Sequence, residues 1–139
     1  MTALSAPRDT KRTGDEHLVL PVAASVTCYQ GGIAAVIASG TGAGNVTPGA
    51  TATTLRGVGV FQDTVSNGAT AGAVSVQVRR GVFGPFANSG STDAITNADI
   101  GADCYIVDDQ TVAKTNGSNT RSVAGKVHLV DASGVWVRF

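Results

Sequence analysis

The sequence predicts an all-β domain: a jelly-roll-like β-sandwich or small β-barrel of about eight to ten short strands, preceded by an extended N-terminal arm. Three observations carry this. First, 19 Val, 5 Ile and 16 Thr make 40 β-branched residues in 139, against 5 Leu, 3 Lys, 1 Met and 1 Glu. β-Branched side chains fit a pleated surface and lose rotamer freedom in a helix, and the usual helix formers are scarce apart from 20 Ala. Second, 18 Gly fall between short Val-rich runs, with turn signals about every eight to twelve positions. Third, Val74, Val76 and Val78 alternate with Ser75, Gln77 and Arg79, the period of a strand with one buried and one wet face. A helical bundle, a coiled coil and an α/β fold with several long helices are thereby excluded.

A chain of 139 residues is about one domain. It divides into an N-terminal arm, residues 1–17, and a single β domain, residues 18–139. The arm is polar, its charges offset one another, and Pro7 and Gly14 interrupt any helix. It cannot bury apolar surface alone, so it is expected to be mobile until a partner orders it. Nothing in it forms the apolar core of a secretory signal, and no run is long and apolar enough to span a membrane.

The strands follow in order. Leu18–Val22 is apolar, with Pro21 marking an edge or an end. Ser25–Gln30 is followed by the Gly31-Gly32 turn and by Ile33–Ala38. Residues 39–54 are small and turn-rich, with room for one short strand. Gly57–Asp63 reads as a strand in which Val58 and Val60 share a face that Gln62 can join, and Asn67-Gly68 as a turn. Ala73–Arg80 is the clearest strand; Val82–Ala87 continues after Gly81, with a bulge or kink at Gly84-Pro85. Thr96 with Asp99 three residues on resembles a capping box, so Thr96–Ala102 is expected to hold one helical turn. Cys104–Val107 and Thr111–Lys114 flank an Asp108-Asp109 turn. Ser122–Val130 and Val135–Phe139 read as a closing hairpin, with Val135, Val137 and Phe139 on one face and Trp136 and Arg138 on the other.

Chemistry-bearing patterns are few. Asp103, Asp108 and Asp109 are the best grouping for a hard cation, but strand neighbours point to opposite faces and Asx turns explain the adjacent pair. His128 sits on a strand without other ligands nearby in sequence. No serine lies in a nucleophile elbow. Gly40, Gly42 and Gly44 miss the dinucleotide fingerprint, because position 45 is Asn45, and no Gly-Lys-Ser/Thr ending follows. Cys28 and Cys104 form no CxxC pattern and read as small buried apolar residues with free thiols. The expectation is no cofactor, no bound metal and no enzymatic activity. Lys plus Arg equals Asp plus Glu at 10 each, which argues against a mainly electrostatic nucleic-acid binder.

Three stretches carry a resemblance: Arg80-Gly81-Val82-Phe83; the run Gly101 to Thr115 with Cys104-Tyr105 and Asp108-Asp109; and the closing Gly134-Val135-Trp136-Val137. Together they lie within roughly half of the chain, and they are framework residues rather than a catalytic motif. The chain resembles the capsid cement, or decoration, proteins of tailed phages, those of Bordetella-type podophages among them. The resemblance implies a structural protein on the outer surface of the virion, made in the host cytoplasm. It implies the major capsid protein and further copies of itself, as a homodimer or homotrimer, as partners, with no nucleic acid and no membrane. A recombinase label carried by some relatives has no phosphate loop to rest on here. The expected capsid or subunit contacts are Leu4, Arg8, Lys11 and Arg12 on the arm, Arg79 and Arg80 as the only basic pair of the folded part, and Trp136. The alternative is another virion module, from the tail or a receptor-binding domain, that stacks a sugar on Trp136 or Tyr105.

Overall fold

The computed structural model describes residues 3–139; residues 1 and 2 of the expected arm lie outside the described residues. The domain is all-β, with 44 % strand and 4 % helix. Twelve strands follow one another: β1 His17–Pro21, β2 Thr27–Cys28, β3 Ile33–Ile37, β4 Val46–Pro48, β5 Leu55–Phe61, β6 Val65–Ser66, β7 Ser75–Arg79, β8 Val82–Asn88, β9 Asp103–Ile106, β10 Thr111–Ala113, β11 Val123–Asp131 and β12 Gly134–Arg138. The count exceeds the expected range because β2, β4 and β6 are only two or three residues long. Such strands leave no periodic signal in sequence.

Of the two layouts expected, the small barrel is present. β10-β8-β12-β11-β9 close into a five-stranded barrel, and β1-β7-β5-β3-β4 form a five-stranded open sheet, while β2 and β6 pair as a small third sheet. The barrel is mixed: β8 and β10 run parallel, whereas its other pairs are antiparallel. The open sheet has two cores because its strands bury both faces. Ile33, Ala35, Leu55 and Val60 pack with the barrel residues Phe86, Cys104, Ile106, Val112, Val127, Val135 and Val137. Ala34, Phe61, Val76 and Val78 turn the other way and pack with Val22, Cys28 and Val46. Thus Cys28 and Cys104 lie in different cores, both as free thiols. Burial disfavours the thiolate and pushes each up to about 11.

Several local expectations hold in detail. Val76 and Val78 are buried between exposed Ser75, Gln77 and Arg79. Thr96 and Asp99 form a complete capping box on the turn Asn97–Asp99. Phe86 faces Val135 and Phe83 faces Val137, so β8 holds one extra residue at Gly84-Pro85. The Asp108-Asp109 turn is an Asx turn, with the Gln110 N–H donating to Asp108 Oδ1 at 2.9 Å.

One expectation is corrected by a bulge, and a second bulge shapes the closing hairpin around the solvent-facing His128 expected there. Ala34 faces Gly59 and Ala35 faces Gly57, so Val58 is an extra residue in β5. The alternation breaks there, and Val58 packs in the sheet core while Val60 packs against the barrel; they do not share a face. Gly59 permits the break with its φ of 151°. In the β11–β12 hairpin Val127 faces Val137 and Leu129 faces Trp136, leaving His128 as the extra residue. His128 and Leu129 are consequently both exposed.

Asn67 does more than turn the chain. Its buried side-chain amide donates to the carbonyls of Val22, Ala23 and Thr70 at 3.0, 3.0 and 2.9 Å. This clamps the end of β1 against the segment after β6 rather than closing a two-residue hairpin.

Candidate interaction surface

The arm leaves the domain at one anchored point. The Arg80 N–H donates to the Glu16 carbonyl at 2.8 Å, which extends the β1–β7 pairing by one step. Residues 3–16 form no strand, and every one of them is exposed. Leu4, at 72 % exposure, is the most exposed of the large apolar residues named here. Arg8, Lys11 and Arg12 have no carboxylate partner among the described residues. All four arm residues singled out in the sequence are therefore exposed on one segment.

The arm runs straight into a short open sheet edge. β1 pairs with β7 from His17↔Arg79 to Pro21↔Ser75 and is the first strand of the open sheet. Alongside β1 its other side has no strand, and Val19 is 69 % exposed, but the open edge ends at the residue after β1, where Val22 bridges Val46 of β4 and the Ala23 N–H donates to the Val46 carbonyl at 2.9 Å. Pro21 is the one edge-blunting residue at its end. Backbone groups along such an edge can accept a further strand.

Arg79 and Arg80 separate on either side of the strand end. The Arg79 guanidinium lies 6.0 Å from the Phe83 ring centroid, at the limit of a cation–π contact. Arg80 lines a cavity of about 290 Å³ at the arm's root, together with Asp15, Glu16, Arg138 and Phe139. Trp136 is half-buried, with the buried residues Val135 and Val137 on the opposite face. It covers Gly84 on the outside of the barrel, where an added Cβ would come within 3.0 Å of the Trp136 ring. Its indole N–H donates to Asp131 Oδ2 at 3.2 Å. With Leu129 opposite it, 43 % exposed, it makes an apolar spot on the barrel wall. The structure thus joins Arg80 to the arm but leaves Trp136 on a separate strand face.

Two features escaped the sequence reading. Leu129 reaches the surface only because of the His128 bulge. Arg56, Lys126 and Arg138 line one trough with Arg121, although they are far apart in sequence. Isolated basic residues at strand positions were the available signal, and only tertiary pairing brings them together.

Ion pairs hold two of these cations, and a third pair lies outside the trough. Arg121 pairs with Asp93 at 3.0 Å, Lys114 with Asp99 at 3.4 Å, and Lys126 with Asp103. The Thr115 hydroxyl, then Arg121, hold the Asp93 carboxyl below its usual range. The Thr96 N–H lowers Asp99 and the Ser133 N–H lowers Asp131 in the same way. Among the described residues no three His, Cys, Asp or Glu side chains gather as a metal site, and Asp103 stands apart from Asp108 and Asp109, engaged by Lys126. No described helix is long and apolar enough to cross a membrane. Comparison with protein-family models, curated proteins and solved structures yielded no match.

Proposed function

We propose that this chain is a structural virion protein that binds the outer surface of a tailed-phage capsid and cements neighbouring major capsid protein subunits. The observation that carries the reading is the continuity of an exposed arm with a free sheet edge. Residues 3–16 offer backbone and side chains to a partner, and β1 offers an open row of hydrogen-bonding groups beside them. A segment of that length reaches at most about 50 Å when extended, enough to cross from one subunit onto the next. Ordering it costs about 1–2 kcal/mol per residue in backbone entropy, so a broad partner surface is needed. Strand addition supplies that better than exposed ion pairs, each worth about 1 kcal/mol at most. Many copies on one lattice make weak individual contacts sufficient.

The experiment is co-sedimentation of the purified protein with expanded, undecorated capsids. Saturation at a copy number near that of the capsid subunits supports cementing. Saturation at a handful of copies per particle points instead to a tail or receptor-binding module, and no binding at all removes the capsid from the account.

A further inference from the structure

A trough of about 500 Å³ opens between the start of β5 and the strand β11. Four cations line it, Arg56, Arg121, Lys126 and Arg138, against one acidic side chain, Asp103. Two are already engaged: Lys126 with Asp103, and Arg121 with Asp93. Arg56 and Arg138 are exposed and have no carboxylate at ion-pair distance among the described residues; the Arg138 guanidinium lies 3.3 Å from His128 Nδ1, and Arg138 also lines the neighbouring cavity with Asp15 and Glu16. The Arg121 Nε is buried and makes no hydrogen bond to the described residues. Between the charges lie apolar groups, Leu55, Val123 and Phe139.

The start of β5 lies outside the β5–β7 pairing on this side. β5 pairs with β7 only at Val60 and Phe61. The Leu55 N–H turns away from β3 and donates to Ser122 Oγ at 3.1 Å. Strand alternation then turns the N–H and C=O of Gly57 the same way. Gly57 also admits β11 at close range: an added Cβ would sit 2.0 Å from the Ala124 carbonyl oxygen.

We propose that this trough docks an extended acidic segment of the protein partner, with main chain along Gly57 and carboxylates at Arg56 and Arg138. The identity of the partner as a capsid subunit rests on the reading above; the chemistry of the trough does not. Charge complementarity selects this occupant. The arm of a second copy is the obvious rival, but Arg8, Lys11 and Arg12 balance Asp9, Asp15 and Glu16 along it. A nucleic acid would want stacking rings, and Phe139 is the one aromatic in the lining.

The test uses the full chain and a fluorescently labelled dodecapeptide of alternating Glu and Thr, followed by anisotropy. A Gln-Thr peptide and single-stranded oligothymidylate are the comparison probes. The acidic peptide should bind more tightly than both, with affinity falling as salt rises. Arg56→Glu with Arg138→Glu should weaken it about tenfold or more, the loss expected when two partly exposed ion pairs are removed and reversed. Arg79→Glu, outside the trough, should change it little, and Arg56→Lys with Arg138→Lys should retain most binding. Unchanged melting temperatures would show that the variants fold. Equal binding of the Gln-Thr peptide, tighter binding of the oligonucleotide, or an equal loss in Arg79→Glu would overturn the proposal. Peptide binding without retention on capsids would remove the capsid as the partner and leave the trough standing. Retention on capsids without peptide binding would remove the trough alone.

Discussion

Residues 3–16 and the domain that follows Glu16 use similar small and polar residues to opposite ends. The domain turns Val, Ile and Ala alternately into two cores, so that β3 and β5 bury both faces. The arm buries none of its residues. The difference teaches where stability resides. Folding energy comes from the two cores and their clamps, while the arm and the short β1 edge contribute little to them and are, on the proposed reading, the surfaces left for a partner. The comparison makes a firm demand: changes in the cores must alter stability, and changes in the arm must leave it nearly untouched.

The largest expected loss is at Phe61, which is 1 % exposed in the sheet core. Phe61→Ala should cost about 3–5 kcal/mol in denaturant unfolding. A loss below about 1 kcal/mol would mean that this core is loosely packed and that the contrast with the arm is overstated.

Next comes Asn67→Ala. It strips three carbonyls, of Val22, Ala23 and Thr70, of their shared donor. The expected cost is about 1–3 kcal/mol, since buried acceptors are left unpaired. Amide exchange near β1 should quicken in the same variant, because the clamp holds the strand's end.

Acid sharpens the comparison within the charged groups. Asp93, Asp99 and Asp131 are held below the ordinary carboxylate value of 3.8 in the folded chain. The unfolded chain therefore binds more protons in this range. Their contribution is full above 3.8 and is lost as pH falls below it toward the lowered folded values. Asp93→Asn should flatten that acid limb of the stability curve. An unchanged limb in the variant would place the acid sensitivity elsewhere.

The contrast also explains what could be read in advance. Local devices were legible: the Val74–Arg79 alternation, the Thr96–Asp99 capping box, the Gly84-Pro85 bulge and the closing hairpin each depend on residues a few positions apart. The bulges at Val58 and His128 were not, because an extra residue is defined only against a partner strand. β2 and β6 are too short to show a period. The exposure of the arm residues Leu4, Arg8, Lys11 and Arg12 was legible from composition, since a polar segment interrupted by Pro7 and Gly14 has no apolar surface to bury. The trough was missed because Arg56 lies on β5, Lys126 on β11 and Arg138 on β12. Their convergence is a product of sheet order, which no local pattern encodes.

The smallest expected effect on stability belongs to deletion of residues 2–16, which should stay within about 0.5 kcal/mol of the full chain. That variant also gives the most direct test of the central claim, that recognition resides in the arm and its adjoining edge. The measurement is retention of full-length and truncated protein on expanded capsids across a salt and temperature series, with melting temperature recorded in parallel. The account predicts equal melting temperatures and loss of the truncated protein at milder conditions than the full chain. Equal retention of the two proteins throughout the series would contradict it.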